Sequence, residues 1–158
     1  MHFRKAALYD ADTLSHLRAE MLREEEEYPV AFLDLIVIHT REYILKGMLD
    51  QSYCAWVAEH DGDIIAMGGV TYFTLPPNDW CPSGKTAYIG SLYTLPAFRK
   101  QGIAGKLMNL LISEAKEQKC QRILLHTSDM GRPLYEKLGF EDSSSAMTLY
   151  PFGLRSDV

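Results

Sequence analysis

A chain of 158 residues, 47% hydrophobic and 23% charged, has enough apolar material for one sizeable core. Its net charge of −5 argues against a nucleic-acid binder, which carries a basic surplus. No apolar run approaches the length of a membrane span, and the N-terminus leads into folded pattern without a signal-like segment, so a cytosolic protein is expected. Cys54, Cys81 and Cys120 are odd in number and lack metal-ligand spacing, so they read as free thiols in a reducing compartment. Cys81, beside Trp80 and Pro82, is the one expected at the surface.

Residues 2–8 read as a first strand. Asp10-Ala11-Asp12 is a helix-start signal, and Leu14, Leu17, Met21 and Leu22 follow at helical spacing. That helix ends in the acidic run Glu24–Glu27, which reads as a solvated helix end or as a site for a cation. A second helical stretch covers roughly 32–49, with His39-Thr40 as a break. Residues 53–59 and 63–73 are strands joined by the hairpin signal Asp61-Gly62. Residues 74–86, with three prolines and a glycine, form a loop, and the aromatics Tyr72, Phe73 and Trp80 beside it are candidates for a pocket wall.

The next strand covers 87–95. Pro96 stops it, a short basic turn follows, and a helix runs from Gly102 to about Lys119, with Ile103, Leu107, Leu110, Leu111 and Ala115 on one face. The first turn of a helix presents N–H groups without intrahelical partners and the positive end of the dipole. Gly102, Ala104 and Gly105 let an anion approach that backbone, and Arg99, Lys100 and Lys106 add positive charge. Residues 122–126 are a buried-type strand. A short helix over 132–138 ends at Gly139, and 147–150 reads as a last strand. The expected class is α/β, a mixed sheet with helices, in one domain over 1–154 with a tail at 155–158.

Arg99-x-x-Gly102-x-Ala104 resembles the phosphate-loop signature of the GCN5-related N-acetyltransferases, the GNAT family. Leu134-Tyr135-Glu136-Lys137-Leu138-Gly139-Phe140 resembles that family's late helix-to-strand motif. The resemblance implies a GNAT-like acyl-CoA N-acyltransferase fold with acetyl-CoA as cosubstrate, lying between the strands of 87–95 and 122–127. It implies that the amides of Leu92, Tyr93 and Thr94 meet the pantetheine arm and that Gly90 suits a bulge near the thioester. The pyrophosphate would then lie on Arg99, Lys100, Gln101, Gly102, Ile103, Ala104, Gly105 and Lys106. Tyr135 takes the place of the family's general acid toward the departing thiolate. Ser128 stands where many relatives carry an asparagine that bonds the coenzyme. Arg132 is either a phosphate ligand or solvated.

The implied reaction is direct attack of an amine on the thioester, with neither metal nor covalent intermediate. The acceptor is a small-molecule or peptide amine, of cationic character if the acidic run binds it; no nucleic acid or membrane partner is expected, and a homodimer stays open. For the general base the sequence offers Glu59, His126, Glu24 or water, with His126 read first as a core histidine. The alternative reading is a coenzyme A-binding sensor or interaction module with weak or no catalysis. Gly84-Lys85-Thr86 resembles the end of a nucleotide-binding loop, but Asp79 stands where its first glycine is required, and no Gly-x-Gly-x-x-Gly occurs. ATP and NAD are therefore not expected ligands.

Overall fold

The structure, a computed structural model, describes residues 1–143 and 146–153; the tail expected at 155–158 lies outside them. The chain forms two compact units, Met1–His126 and Thr127–Val158. In the first, the elements are β1 (His2–Lys5), α1 (Ala11–Glu25), α2 (Val30–Asp50), β2 (Tyr53–His60), β3 (Asp63–Thr74), β4 (Lys85–Thr94), α3 (Ile103–Glu117) and β5 (Arg122–Leu124). The strands form one five-stranded sheet in the order β1-β2-β3-β4-β5. All pairs are antiparallel except β4 with β5, which is parallel. A parallel pair needs a crossover, and α3 supplies it.

Two apolar layers cover the sheet. On one face Leu14 and Leu17 of α1 and Ile44 of α2 pack with Val57, Met67 and Tyr93. On the other, Ile103 and Leu107 of α3 pack with Ala58, Ile65 and Ala66. Leu107, Met108 and Leu111 are completely buried, each contributing roughly 2 kcal/mol of apolar burial. The β2–β3 hairpin turns through Asp61 and Gly62, with φ of 52° and 90°, as its Asp-Gly pair predicts. The helix expected to break at His39-Thr40 is continuous. Leu33, Ile44 and Gly47 bury its inner face, and such packing outweighs a propensity cost of a few tenths of a kcal/mol at each polar position.

Gly84-Lys85-Thr86 is part of the frame. Gly84 has φ 69°, and a Cβ there would stand 2.0 Å from the Leu75 carbonyl oxygen. Leu75 N–H donates to that glycine's carbonyl, and the buried Thr86 hydroxyl donates to it too. Cys81, expected at the surface, is fully buried. The Asn78 side chain accepts from the N–H groups of Trp80 and Cys81, and this turn folds the thiol inward while Trp80 stays exposed. All three cysteines are free thiols.

An ion cluster ties β1 to the start of α1. Arg4 donates to both oxygens of Asp10, at 2.7 and 2.9 Å, and to Glu59 at 2.7 and 2.9 Å. Burial pushes the Asp10 carboxyl up, but the Arg4 bonds and the Ala7 N–H outweigh it and hold the group below its ordinary value. A depressed carboxyl contributes stability above its unfolded pKa, about 3.9, which is lost as pH falls through the lower folded value. Asp10→Asn is therefore expected to cost about 2 kcal/mol at neutral pH and to flatten the acid limb of the Tm–pH curve. Parallel wild-type and variant curves below about pH 4 would remove Asp10 from acid unfolding.

In the second unit α4 (Arg132–Lys137) is the one helix among the described residues. Gly139 follows it with φ 93°, as a helix-ending glycine should. The strand expected at 147–150 does not form: Met147 and Leu149 are 99% and 85% exposed, and nothing among the described residues pairs with the segment. Strand propensity yields a strand only where a partner edge is available. No helix among the described residues is long and apolar enough to cross a membrane.

Candidate active site

The site begins where β4 and β5 part. Their pairing covers Thr86–Arg122, Ala87–Ile123 and Tyr88–Leu124 and goes no further. The strand expected over 122–126 is therefore cut to three residues, and from Ile89 to Thr94 the β5 side of β4 has no ladder partner among the described residues. Backbone N–H and C=O groups along such an edge are open to an extended ligand.

A bulge lies within this edge. Met67 pairs with Tyr93 and Gly69 with Gly90, so β4 carries one residue more than β3 over this stretch. The left-handed residue is Ser91, with φ 54°, next to the glycine expected to provide the bulge. Gly90 itself makes room for the Tyr88 ring: a Cβ there would lie 3.0 Å from it. Leu92 packs its side chain against the cluster that holds Ile103 and Leu107, leaving its backbone as the group available at the edge.

Beyond Thr94 the chain makes a short turn over Pro96–Phe98 and enters α3 through Gly102. Gly102 has φ 77°, and no side chain caps the helix. The first hydrogen bond runs from Lys106 N–H to the Gly102 carbonyl, so the amides of Ile103, Ala104 and Gly105 precede the helical ladder. Ile103 is buried and anchors the helix; Lys100, Gln101 and Gly102 are exposed. The turn is thus anchored by Ile103, and the amides of its first helical turn have no helical partner.

Of the three basic side chains expected to add positive charge at the turn, two are engaged by neighbouring groups. Arg99 folds back: its Nε donates to the Thr94 carbonyl at 2.8 Å and its Nη2 to Glu24 at 2.6 Å, with its guanidinium over the Tyr93 ring. Lys106 lies over the Phe3 ring. Glu24 also accepts from the Tyr93 hydroxyl at 2.6 Å. Those bonds, Tyr93 first and then Arg99, hold the Glu24 carboxyl below its ordinary value. Burial and then Glu24 push the Tyr93 hydroxyl up to about 12. Glu24 is therefore exposed, as a helix end should be, but it is not an empty cation site, because Arg99 already pairs with it. Its charge is spent on the frame of the turn, and reversing it would disturb the loop before it reported on any acceptor.

Of the other candidate bases, Glu59 is held by Arg4, as described above. His126 is exposed, which corrects its reading as a core histidine, and its Nδ1 lies 2.9 Å from the Tyr88 hydroxyl. In the second unit, the Ser128 hydroxyl accepts from Gly131 N–H, tightening the turn into α4. Arg132 pairs with Asp142 at 2.9 Å. The half-buried Tyr135 lies edge-on to Phe140, with ring centres 6.1 Å apart. No group of three or more His, Cys, Asp or Glu among the described residues is arranged to hold a metal.

Sequence reasoning missed two couplings. Glu24 and Arg99 are 75 residues apart and Tyr88 and His126 are 38 apart, and no local spacing announces either. The acidic run and the alternation of the strand were the available signals, and neither names a partner.

The sequence profile described as the acetyltransferase (GNAT) family matches residues 12–140. The Escherichia coli uncharacterized N-acetyltransferase YjgM is 34% identical over 58% of this chain and 53% of its own length. Human N-acetyltransferase 8 is 25% identical over 73% of this chain and 51% of its own. The chain thus spans about half the length of the curated relatives it matches. Among solved structures, a predicted acetyltransferase with acetyl-CoA from Clostridium acetobutylicum has a TM-score of 0.87 at 31% identity, covering 94% of this chain and 95% of that one. A GCN5-related N-acetyltransferase from Ralstonia eutropha JMP134 has 0.85 at 29%, covering 94% and 97%.

Proposed function

We propose that this chain, which belongs to the acetyltransferase (GNAT) family and shares its fold, transfers the acetyl group of acetyl-CoA to an amine by direct attack of nitrogen on the thioester. The observation that carries the reading is the open β4 edge leading straight into an uncapped helix N-terminus. An extended arm ending in a pyrophosphate fits that succession: strand-like pairing along Leu92, Tyr93 and Thr94, then amide donors at a positive helix end. Lys100 and Gln101 are available at the turn, and Arg99 contributes chiefly by fixing it. Ser128 is a further coenzyme contact, in place of the asparagine of many relatives.

On this reading the catalytic domain covers 1–154. Amides near Leu92 stabilise the oxyanion of the tetrahedral intermediate. Tyr135 donates its hydroxyl proton to the leaving thiolate. The acceptor is a small-molecule or peptide amine. The free thiols favour a reducing compartment, hence the cytosol.

Thermal unfolding tests the ligand class. Acetyl-CoA at about 100 times its Kd is expected to stabilise the chain by about 2.7 kcal/mol, with ATP and NAD giving little. Gly84 and Thr86 close a turn here, so the sequence likeness to a nucleotide loop carries no site. Greater stabilisation by ATP or NAD than by acetyl-CoA would overturn the reading.

A further inference from the structure

A polar aromatic cluster lies on the sheet face covered by α1 and α2, where β4 and β5 separate. Tyr88 is the last β4 residue paired with β5, and its hydroxyl lies 2.9 Å from His126 Nδ1, two residues past the last paired β5 residue. Their hydrogen bond joins the two strands just beyond the point where the backbone pairing ends. Thr71 stands opposite Tyr88 on β3, and its hydroxyl is bonded by Tyr43 of α2. Tyr53 packs edge-on to Tyr43. From α1, Arg18 reaches the same region and donates to the Met21 sulfur, and it forms no ion pair among the described residues. The groups facing the pair are thus Arg18, Tyr43 and Tyr53, with Arg122 on β5 bonded to Thr86.

The geometry points to Tyr88 and His126 as a proton relay for the attacking amine, with Tyr88 meeting the amine and His126 taking the proton behind it. This rests on the acetyl-transfer reading. An amine arrives as ammonium and has no lone pair to attack with. In the relay its N–H bond breaks and the proton passes to the Tyr88 oxygen. The Tyr88 O–H proton moves to His126 Nδ1, so the products are a free amine, an intact phenol and an imidazolium. The exposed ring then returns the proton to water.

The alternatives are less suited. The Glu59 carboxylate is held by Arg4, and Glu24 is held by Tyr93 and Arg99 with its basicity reduced. His126 Nδ1 lies within hydrogen-bond reach of the Tyr88 hydroxyl, and the unprotonated nitrogen of a neutral imidazole accepts a proton. Burial pushes the Tyr88 hydroxyl up, so it remains a phenol and passes protons without storing charge. Arg18 adds a positive charge that favours proton loss from a nearby ammonium.

The test uses the whole chain with acetyl-CoA and four amine probes: spermidine, kanamycin, glycine and a peptide with a free N-terminus. Thiol release is measured from pH 6 to 10 for wild type, His126→Gln and Tyr88→Phe. With any probe that turns over, both variants should lose roughly 10²-fold in kcat/KM at pH 7. The loss should shrink as pH rises and vanish where the free amine predominates, because bulk water then does the relay's work. Acetyl-CoA affinity should be unchanged. A loss of constant size at every pH, or no loss, overturns the relay and leaves acetyl transfer standing. Absence of turnover by wild type with all four probes overturns both.

Discussion

Gly102→Asp is expected to abolish acetyl-CoA binding in a chain that still folds. Nothing lies within 4 Å of the position a Cβ would take at Gly102, so the side chain meets no obstacle. Its φ of 77° is left-handed, and aspartate tolerates that region better than most residues. The new carboxylate would also cap the helix, accepting from the amides that otherwise face the ligand. The same event that preserves the fold therefore occupies the anion site and sets a negative charge against the pyrophosphate. A loss of at least about 10²-fold in affinity, about 2.7 kcal/mol, is expected. Calorimetric titration measures it, with a melting curve to confirm folding. Unchanged affinity in the folded variant would remove the turn from coenzyme binding.

Tyr135→Phe is the second large effect. The ring faces Phe140, and a Cβ on Gly131 would lie 2.8 Å from it. Phenylalanine keeps that ring and removes the oxygen, so packing is preserved. If the hydroxyl protonates the departing thiolate, kcat falls by roughly 10²-fold. Acetyl-CoA affinity changes little, because the lost interaction matters in the transition state. Full kcat at saturating amine, with chemistry shown to limit the rate, would take Tyr135 out of the mechanism.

Local chemistry was readable and long-range chemistry was not. The Asp61-Gly62 hairpin, the helix starting at Gly102 and the glycine ending α4 follow from turn and capping rules that act within a few residues. The acidic run showed charge at 24–27 but not that Tyr93 and Arg99 would take up Glu24, because the sheet brings those groups together. The same applies to His126, whose apolar surroundings in sequence concealed an exposed ring bonded to Tyr88. Residues 147–150 failed as a strand and Cys81 failed as a surface thiol for one reason: a partner edge and a turn that buries a side chain are properties of the assembled fold. The bulge is an intermediate case, since Gly90 marked its neighbourhood while the left-handed conformation fell on Ser91.

Acetyl transfer itself is tested most directly by following two products at once. The chain is incubated with acetyl-CoA and each amine probe, and free coenzyme A thiol and acetylated amine are quantified together. The account predicts amine-dependent thiol release matched one for one by acetylated product, lost in Gly102→Asp and slowed in Tyr135→Phe. Tight acetyl-CoA binding with no acetylated amine from any probe would contradict it and make the chain a coenzyme-binding module.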